Sequence, residues 1–122
     1  MFLLSSETVH RIVELTDQWC MTYLGESPEL VIEITKQKFW KSPCFGGYDE
    51  NNKVMYVYVN RCENIKDLLK VFIHEYTHHL QDLSQYDSLL ELYGYDNHPL
   101  EIEANEMAEY YNIVWKEIKN KI

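Results

Sequence analysis

The chain has 122 residues, of which 46% are hydrophobic and 25% charged, and its formal net charge is −9. This length and composition are typical of one compact domain, residues 1–122, with a modest apolar core. The acidic charge argues against nucleic-acid binding, which needs a basic face, and against binding to an anionic membrane surface.

The cysteines and the hydropathy pattern indicate the cellular compartment that we expect for this protein. Cys20, Cys44 and Cys62 share no close spacing and form no Cys-x-x-Cys pair, which favours buried free thiols over a disulfide framework. No run approaches the roughly 20 apolar residues of a membrane span, and the short apolar start has no basic lead-in typical of a signal peptide. We therefore expect a soluble, cytoplasmic protein.

The first half of the chain predicts one helix followed by strands. Ser5 or Ser6 can cap a helix whose apolar residues recur at helical spacing as far as Leu24. Two short segments rich in β-branched or aromatic residues, 30–35 and 53–59, are typical of strands.

The segment between these two strands is rich in turn-forming residues. We expect residues 38–40 to extend the sheet and residues 42–48, which include Pro43, Gly46 and Gly47, to form an irregular bend. A polar turn then leads into the second strand. This layout predicts a small, mostly antiparallel sheet built on a hairpin.

The strongest helical pattern begins at Asn64, a predicted N-cap with Asp67 in the first turn. An apolar stripe at helical spacing follows it. The stripe contains Ile65, Leu68, Leu69, Phe72, Ile73, Tyr76, Leu80 and Leu83. This stripe predicts a helix packed on one side against the core.

A connecting segment, residues 84–97, follows this helix and includes a predicted helical turn over residues 88–93 that ends at Gly94. His98 and Pro99 then open a last helix, with proline at the first helical position. The predicted fold class is therefore α+β, with an N-terminal helix, a small sheet and two further long helices.

The run His74-Glu75-Tyr76-Thr77-His78 lies in the middle of the strongest helix. Spacing of four places the Cβ atoms of the two histidines about 5–6 Å apart on one face. Both histidines point nearly opposite the apolar stripe, so they can face a cleft while the stripe faces the core. Such a pair binds zinc, and the glutamate of this pattern activates water instead of binding the metal.

A catalytic zinc ion requires a third protein ligand. The downstream candidates are His98, Glu101, Glu103, Glu106 and Glu109. The predicted inward face of the last helix contains Leu100, Ala104, Met107, Tyr111, Val114 and Ile118. Glu103 lies about 60° from the centre of this face, whereas the other glutamates point well away from it. Glu101 can instead reach back to the His98 cap, so we predict His74, His78 and Glu103 as the zinc ligands.

The two motifs together resemble the gluzincin class of zinc metallopeptidases, and most of all the small ImmA/IrrE-type family. That family combines His-Glu-x-x-His on one helix with Glu-x-Glu-Ala-Asn at the start of the next, matched here by residues 74–78 and 101–105. The second glutamate of the latter motif is the family's third zinc ligand, and it corresponds to Glu103. The family often has glycine where this chain has Thr77, and many members carry a further domain.

The resemblance implies a minimal zincin-like domain that hydrolyses peptide bonds in a protein or peptide substrate. In family members with known roles the substrate or target is a repressor-type regulator. Peptide hydrolysis also needs a hydrogen-bond donor to the developing oxyanion. Tyr93, Tyr95 and His98, just before the last helix, are the candidates by position, of which we choose Tyr95 and His98. Glu75 is the candidate base.

A second hypothesis is a catalytically silent binding protein that keeps the zincin fold and covers a basic surface on a partner. The intact Glu75 argues for catalysis instead. A purely structural zinc site fits less well, because such sites are usually closed by four protein ligands, often cysteines, and no cysteine lies near the motif.

Overall fold

Segments with apolar residues at helical spacing form the helices, and short segments rich in β-branched residues form strands of a small sheet. The helices pack around this sheet. The structure is a computed structural model that describes residues 4–36 and 45–122. In chain order the elements are α1 (Ser6–Tyr23), β1 (Val31–Thr35), β2 (Gly46–Asp49), β3 (Val54–Tyr58), α2 (Ile65–Leu80), α3 (Tyr86–Tyr93), α4 (Pro99–Ala108), α5 (Tyr111–Ile118) and a closing 3₁₀ turn (Lys119–Lys121). The predicted α+β class is confirmed.

The sheet is mixed, with strand order β1-β3-β2. Val31 of β1 lies opposite Val54 in a parallel pairing, whereas Gly46 of β2 lies opposite Val57 in an antiparallel one. The predicted mostly antiparallel sheet is therefore wrong for one of its two pairings. β2 was predicted as part of a bend, because its two glycines are typical of turns. Residues 38–40, predicted to extend the sheet, lie outside the described residues.

Helix α2 is the centre of the packing. Asn64 accepts a hydrogen bond from the Asp67 backbone N–H at 2.9 Å, which confirms the predicted N-cap. The predicted stripe is buried over the middle of the helix, where Phe72 and Tyr76 are no more than 1% exposed. Leu80, at its end, is 42% exposed. Because α2 packs against α1, α4, α5 and the strands β2 and β3, its histidine-bearing face is held rigidly.

The predicted last helix is broken into two. α4 ends at Ala108 and α5 begins at Tyr111, so a two-residue step separates them. The buried residues of α4 are Glu101, Ala104 and Ala108, and those of α5 are Val114 and Ile118. The break gives each half its own inward face, which changes the side chains that α4 presents to α2.

The short helix α3 follows α2 and precedes α4 along the chain, and it has no buried residue. It begins at Tyr86, two residues before the predicted helical turn, and it ends at Gly94, as predicted. Gly94 has φ 74°, a left-handed conformation that favours glycine. α3 is therefore placed by polar contacts more than by core packing.

Two further predictions concern the cysteines and the hydropathy. Cys20 and Cys62 are buried free thiols, as expected, and Cys44 lies outside the described residues. Burial raises the pKa of the Cys62 thiol to about 12. Across residues 4–36 and 45–122, no helix combines the length and apolar character that crossing a bilayer requires.

Gly46 provides a test of the packing of β2 against α2. A Cβ at this position would overlap the backbone oxygen of Tyr56 and approach Val71 Cγ2 to 2.7 Å, so a strand or helix must shift to accept it. We expect Gly46→Ala to lower the free energy of unfolding by ~1–3 kcal/mol in a urea titration.

Gly47→Ala is the matched control, because a Cβ there would meet only Tyr58 Oη, at 3.9 Å. Its free energy of unfolding should stay within about 0.5 kcal/mol of that of the unmodified protein. Equal stability of the two variants would contradict the close approach of β2 to α2.

Candidate metal centre

Two helices bring three side chains to one point beside the core. His74 and His78 lie one turn apart on α2, and Glu101 lies in the first turn of α4. The Nε2 atoms of the histidines are 3.1 Å apart, and Glu101 Oε1 lies 3.0 Å from each of them. Glu101 is 5% and His78 7% exposed, so the group lies almost entirely inside the protein.

The spacing of these three atoms fits a metal ion. Metal–ligand bonds of 2.0–2.1 Å in a tetrahedral zinc site place ligand atoms about 3.3 Å from one another. The observed separations of 3.0–3.1 Å are close to this value. Two imidazole nitrogens and one carboxylate oxygen are also the donor set of known catalytic zinc sites, which keep a fourth position open.

The glutamate at the histidine pair is Glu101 and not the predicted Glu103, which is a correction. The prediction treated residues 98–121 as one continuous helix, so it combined the different inward faces of α4 and α5 into a single face. Because the chain breaks after Ala108, the inward face of α4 is centred about 75° away from the predicted one at 100° per residue. This rotation turns Glu101 inward and leaves Glu103 exposed.

The predicted capping role of Glu101 is also corrected. His98 is the N-cap of α4, as expected, and its Nδ1 accepts a hydrogen bond from the Leu100 backbone N–H at 3.1 Å. The Glu101 carboxylate faces the histidines instead of reaching back to this cap.

Glu103 belongs to a chain of hydrogen bonds that orients His78. Gln81 Nε2 donates to Glu103 Oε1 at 2.8 Å and to the Leu100 carbonyl at 2.9 Å, which fixes the orientation of the amide. Gln81 Oε1 then accepts a hydrogen bond from His78 Nδ1 at 2.7 Å. A proton on Nδ1 makes Nε2, which lies 3.0 Å from Glu101 Oε1, the ring nitrogen that would bind a metal ion in place of its hydrogen bond to this carboxylate.

Tyr86 is a site residue that the sequence analysis missed. Its hydroxyl donates to Glu101 Oε2 at 2.5 Å, on the opposite side of the carboxylate from the histidines. Burial would raise the pKa of Glu101, but hydrogen bonds from His74, His78 and Tyr86 outweigh it and hold this pKa far below its usual range. The carboxylate is therefore anionic and favours a positive charge at the histidine pair.

Glu75 lies beside the three converging atoms without joining them. Its Oε1 is 3.8 Å from His74 Nε2, and its Oε2 is buried with no hydrogen-bond partner within the described part of the chain. Burial raises the pKa of this carboxyl, which is 6% exposed. A carboxylate with one unsatisfied oxygen at this position is placed to accept a proton from a water molecule or a ligand.

The two predicted oxyanion donors lie in different environments. Tyr95 is 57% exposed and lines the cleft above the histidines. His98 is fully buried, stacks on the Tyr86 ring at 4.1 Å, and has both ring nitrogens engaged, since Nε2 donates to the Tyr86 carbonyl. The prediction that His98 contacts substrate is therefore corrected, because its ring caps α4 and holds α3.

A cleft of about 460 Å³ opens over the group, between β2 and α3, and it has the size of a small-ligand site. His74, Glu75 and Glu101 lie at its floor, and Tyr48, Tyr86 and Tyr95 contribute aromatic lining. Comparison with models of protein families, with curated proteins and with solved structures finds no match to this chain. The resemblance to the ImmA/IrrE-type family therefore stays a prediction that depends on the two motifs.

Substitutions at the two glutamates distinguish the ligand from the supporting residue. Glu101→Gln replaces a carboxylate 3.0 Å from both histidine nitrogens, so we expect zinc affinity to fall by more than 100-fold. Glu103→Gln removes the same charge but acts only through Gln81, so we expect a loss of about tenfold or less. Competition with a zinc chelator measures both. A larger loss in Glu103→Gln would restore Glu103 as the ligand.

Tyr86→Phe tests the support that α3 gives to Glu101. The variant removes the hydroxyl that donates to Oε2 while keeping the ring that stacks on His98. We expect zinc affinity to fall about 10- to 100-fold, as for other residues that orient a metal ligand. Tyr93→Phe, at an exposed tyrosine of the same helix, is the control and should bind zinc unchanged. Unchanged affinity in Tyr86→Phe would show that this hydrogen bond does not support the site.

Proposed function

We propose that this protein is a zinc-dependent metallopeptidase of gluzincin type, in which His74, His78 and Glu101 hold the metal and Glu75 is the catalytic base. The observation that carries the proposal is the unsatisfied Oε2 of Glu75 beside the three converging ligand atoms. Buried carboxylate oxygens in folded proteins are normally hydrogen-bonded. A water molecule or substrate group that occupies the cleft would supply the partner that this oxygen lacks.

When bound, zinc acts as a Lewis acid that polarises a carbonyl and lowers the pKa of water to roughly 7. Glu75 accepts the proton that the attacking water loses, and it returns a proton to the amine that leaves when the peptide bond breaks. Its position inside the cleft floor keeps bulk water away from the carboxylate and raises its pKa, which suits a group that both takes and gives a proton.

The surrounding side chains hold these groups in place. Gln81 keeps His78 in the tautomer that presents Nε2, and Tyr86 holds the second oxygen of Glu101. Tyr95, on the exposed wall of the cleft, is our candidate for the hydrogen bond to the substrate carbonyl oxygen. Precise placement of ligands by such contacts is what a catalytic metal site requires.

Glu75→Gln tests the catalytic role directly. The amide keeps the shape of the side chain and cannot accept the proton from water, so we expect peptide cleavage to fall by about 10²- to 10⁴-fold. Zinc content should be unchanged, because Glu75 is not one of the three converging residues. Zinc is measured by atomic emission and cleavage by mass spectrometry of a peptide mixture.

The same pair of proteins separates the alternatives. A binding protein that keeps this fold without catalysis would retain its biological effect in Glu75→Gln, and neither protein would cut peptides. Purified protein that holds no zinc at saturating metal, with the fold intact by circular dichroism, would refute the metal assignment itself. Cleavage that is equal in the two proteins would refute the role of Glu75.

A further inference from the structure

We propose that the cleft accepts peptides with a lysine or arginine side chain, bound between the carboxylates of Glu50 and Asp87. This inference rests on the proposed peptidase function and names the substrate class of the same site. Glu50 follows β2 and Asp87 lies in the first turn of α3, so the two carboxylates come from different elements that border one cleft.

Both carboxylates are available to a ligand. Glu50 and Asp87 are exposed, and within the described ranges neither has a hydrogen bond or ion pair to another side chain. Among residues 4–36 and 45–122, no lysine or arginine lines this part of the cleft. A ligand cation would therefore meet no competing positive charge there.

The charged side chains that line the cleft differ between its two ends. An adjoining pocket shares Gly46, His74, Glu75 and Tyr95 with the first one, and its far end is lined by Lys66 and Lys70. The ammonium group of Lys70 lies 3.0 Å from Glu109. Asp67 also lines that end, so its charges largely cancel, whereas Glu50 and Asp87 line only the first pocket. The preference for a basic residue should therefore be confined to one side of the cleaved bond.

A separate observation shows that the cleft is built to hold a ligand. Oε2 of Glu75, which is 6% exposed, lies at its floor without a hydrogen-bond partner among the described residues. The rings of Tyr48 and Tyr95 line the same space. Aromatic faces bind the methylene stem of lysine or arginine and attract the cation at its end. The net charge of −9 further favours the encounter with a cationic peptide.

The experiment uses the zinc-loaded protein and a set of quenched fluorescent peptides of one length. Each peptide carries lysine, norleucine or glutamate at a single position, scanned across the sequence. Norleucine keeps the stem of lysine without its charge. We expect kcat/KM to be about 3- to 20-fold higher for lysine than for norleucine at one position, and higher still relative to glutamate. The preference should decrease between 50 mM and 500 mM salt, because exposed charges are screened.

A double variant assigns the preference to the two carboxylates. Glu50→Gln combined with Asp87→Asn should bring the lysine-to-norleucine ratio of kcat/KM close to one. The control, Glu14→Gln combined with Glu91→Gln, changes the net charge equally at exposed residues that do not line the cleft and should keep the preference. Binding of the same peptides to Glu75→Gln, followed by fluorescence anisotropy, should show the same ratios without cleavage.

The outcomes separate this inference from the proposed function. Peptide cleavage with no preference for lysine at any position would overturn the inference and leave the peptidase intact. A lysine preference that survives in the double variant would also overturn the inference, since other residues would then bind the lysine side chain. If the zinc-loaded protein neither cleaves nor binds any peptide of the set, the proposed function and the inference both fail.

Discussion

The carboxylate of Glu101 is the group on which the rest of the site depends. One of its oxygens faces both histidines of α2, and the other accepts the hydroxyl of Tyr86 from α3. A charge this deeply buried is costly unless each oxygen has a partner. Because the partners come from two other helices, the same contacts that stabilise the carboxylate also fix α2, α3 and α4 relative to one another. The contacts of this one carboxylate therefore determine both the geometry of the histidine pair and the shape of the cleft.

Helix α3 shows how much of this arrangement is polar. It has no buried residue, yet it forms a wall of the cleft and carries Tyr86. His98 links it to α4, because one ring nitrogen caps α4 and the other donates to the Tyr86 carbonyl, while the two rings stack. A wall held by a few directed contacts is easier to move than one held by core packing.

The sequence alone predicted features that depend on residues close together in the chain. It did not predict features that depend on contacts between distant segments. His74 and His78 share one uninterrupted helix, so spacing alone placed them together on one face, with Glu75 beside them. Glu103 was predicted instead of Glu101 because the two residues that separate α4 from α5 change which side chains of α4 face inward. No proline or glycine in the sequence marks this break.

The strand β2 and the contact of Tyr86 with Glu101 were not predicted, for a related reason. A strand with two glycines has the local pattern of a turn, and only its pairing with β3 makes it a strand. The hydroxyl of Tyr86 reaches a carboxylate 15 residues away across a loop. Two signals were nevertheless present. Gln81 follows the second histidine by three residues at the end of α2, where an amide can reach its ring, and α4 has a single glutamate on the face of Ala104 and Ala108.

The buried carboxyl of Glu75 is a feature that stability alone does not explain. An unsatisfied buried carboxylate oxygen costs about 1–3 kcal/mol or more, whereas a glutamine or leucine at the same place would avoid a buried charge. Two buried or half-buried neighbours, by contrast, are fully engaged: Gln81 through both ends of its amide, and His98 through both ring nitrogens. A protein that satisfies these neighbours and leaves one charged oxygen open beside three converging ligand atoms has kept a place for something outside the chain.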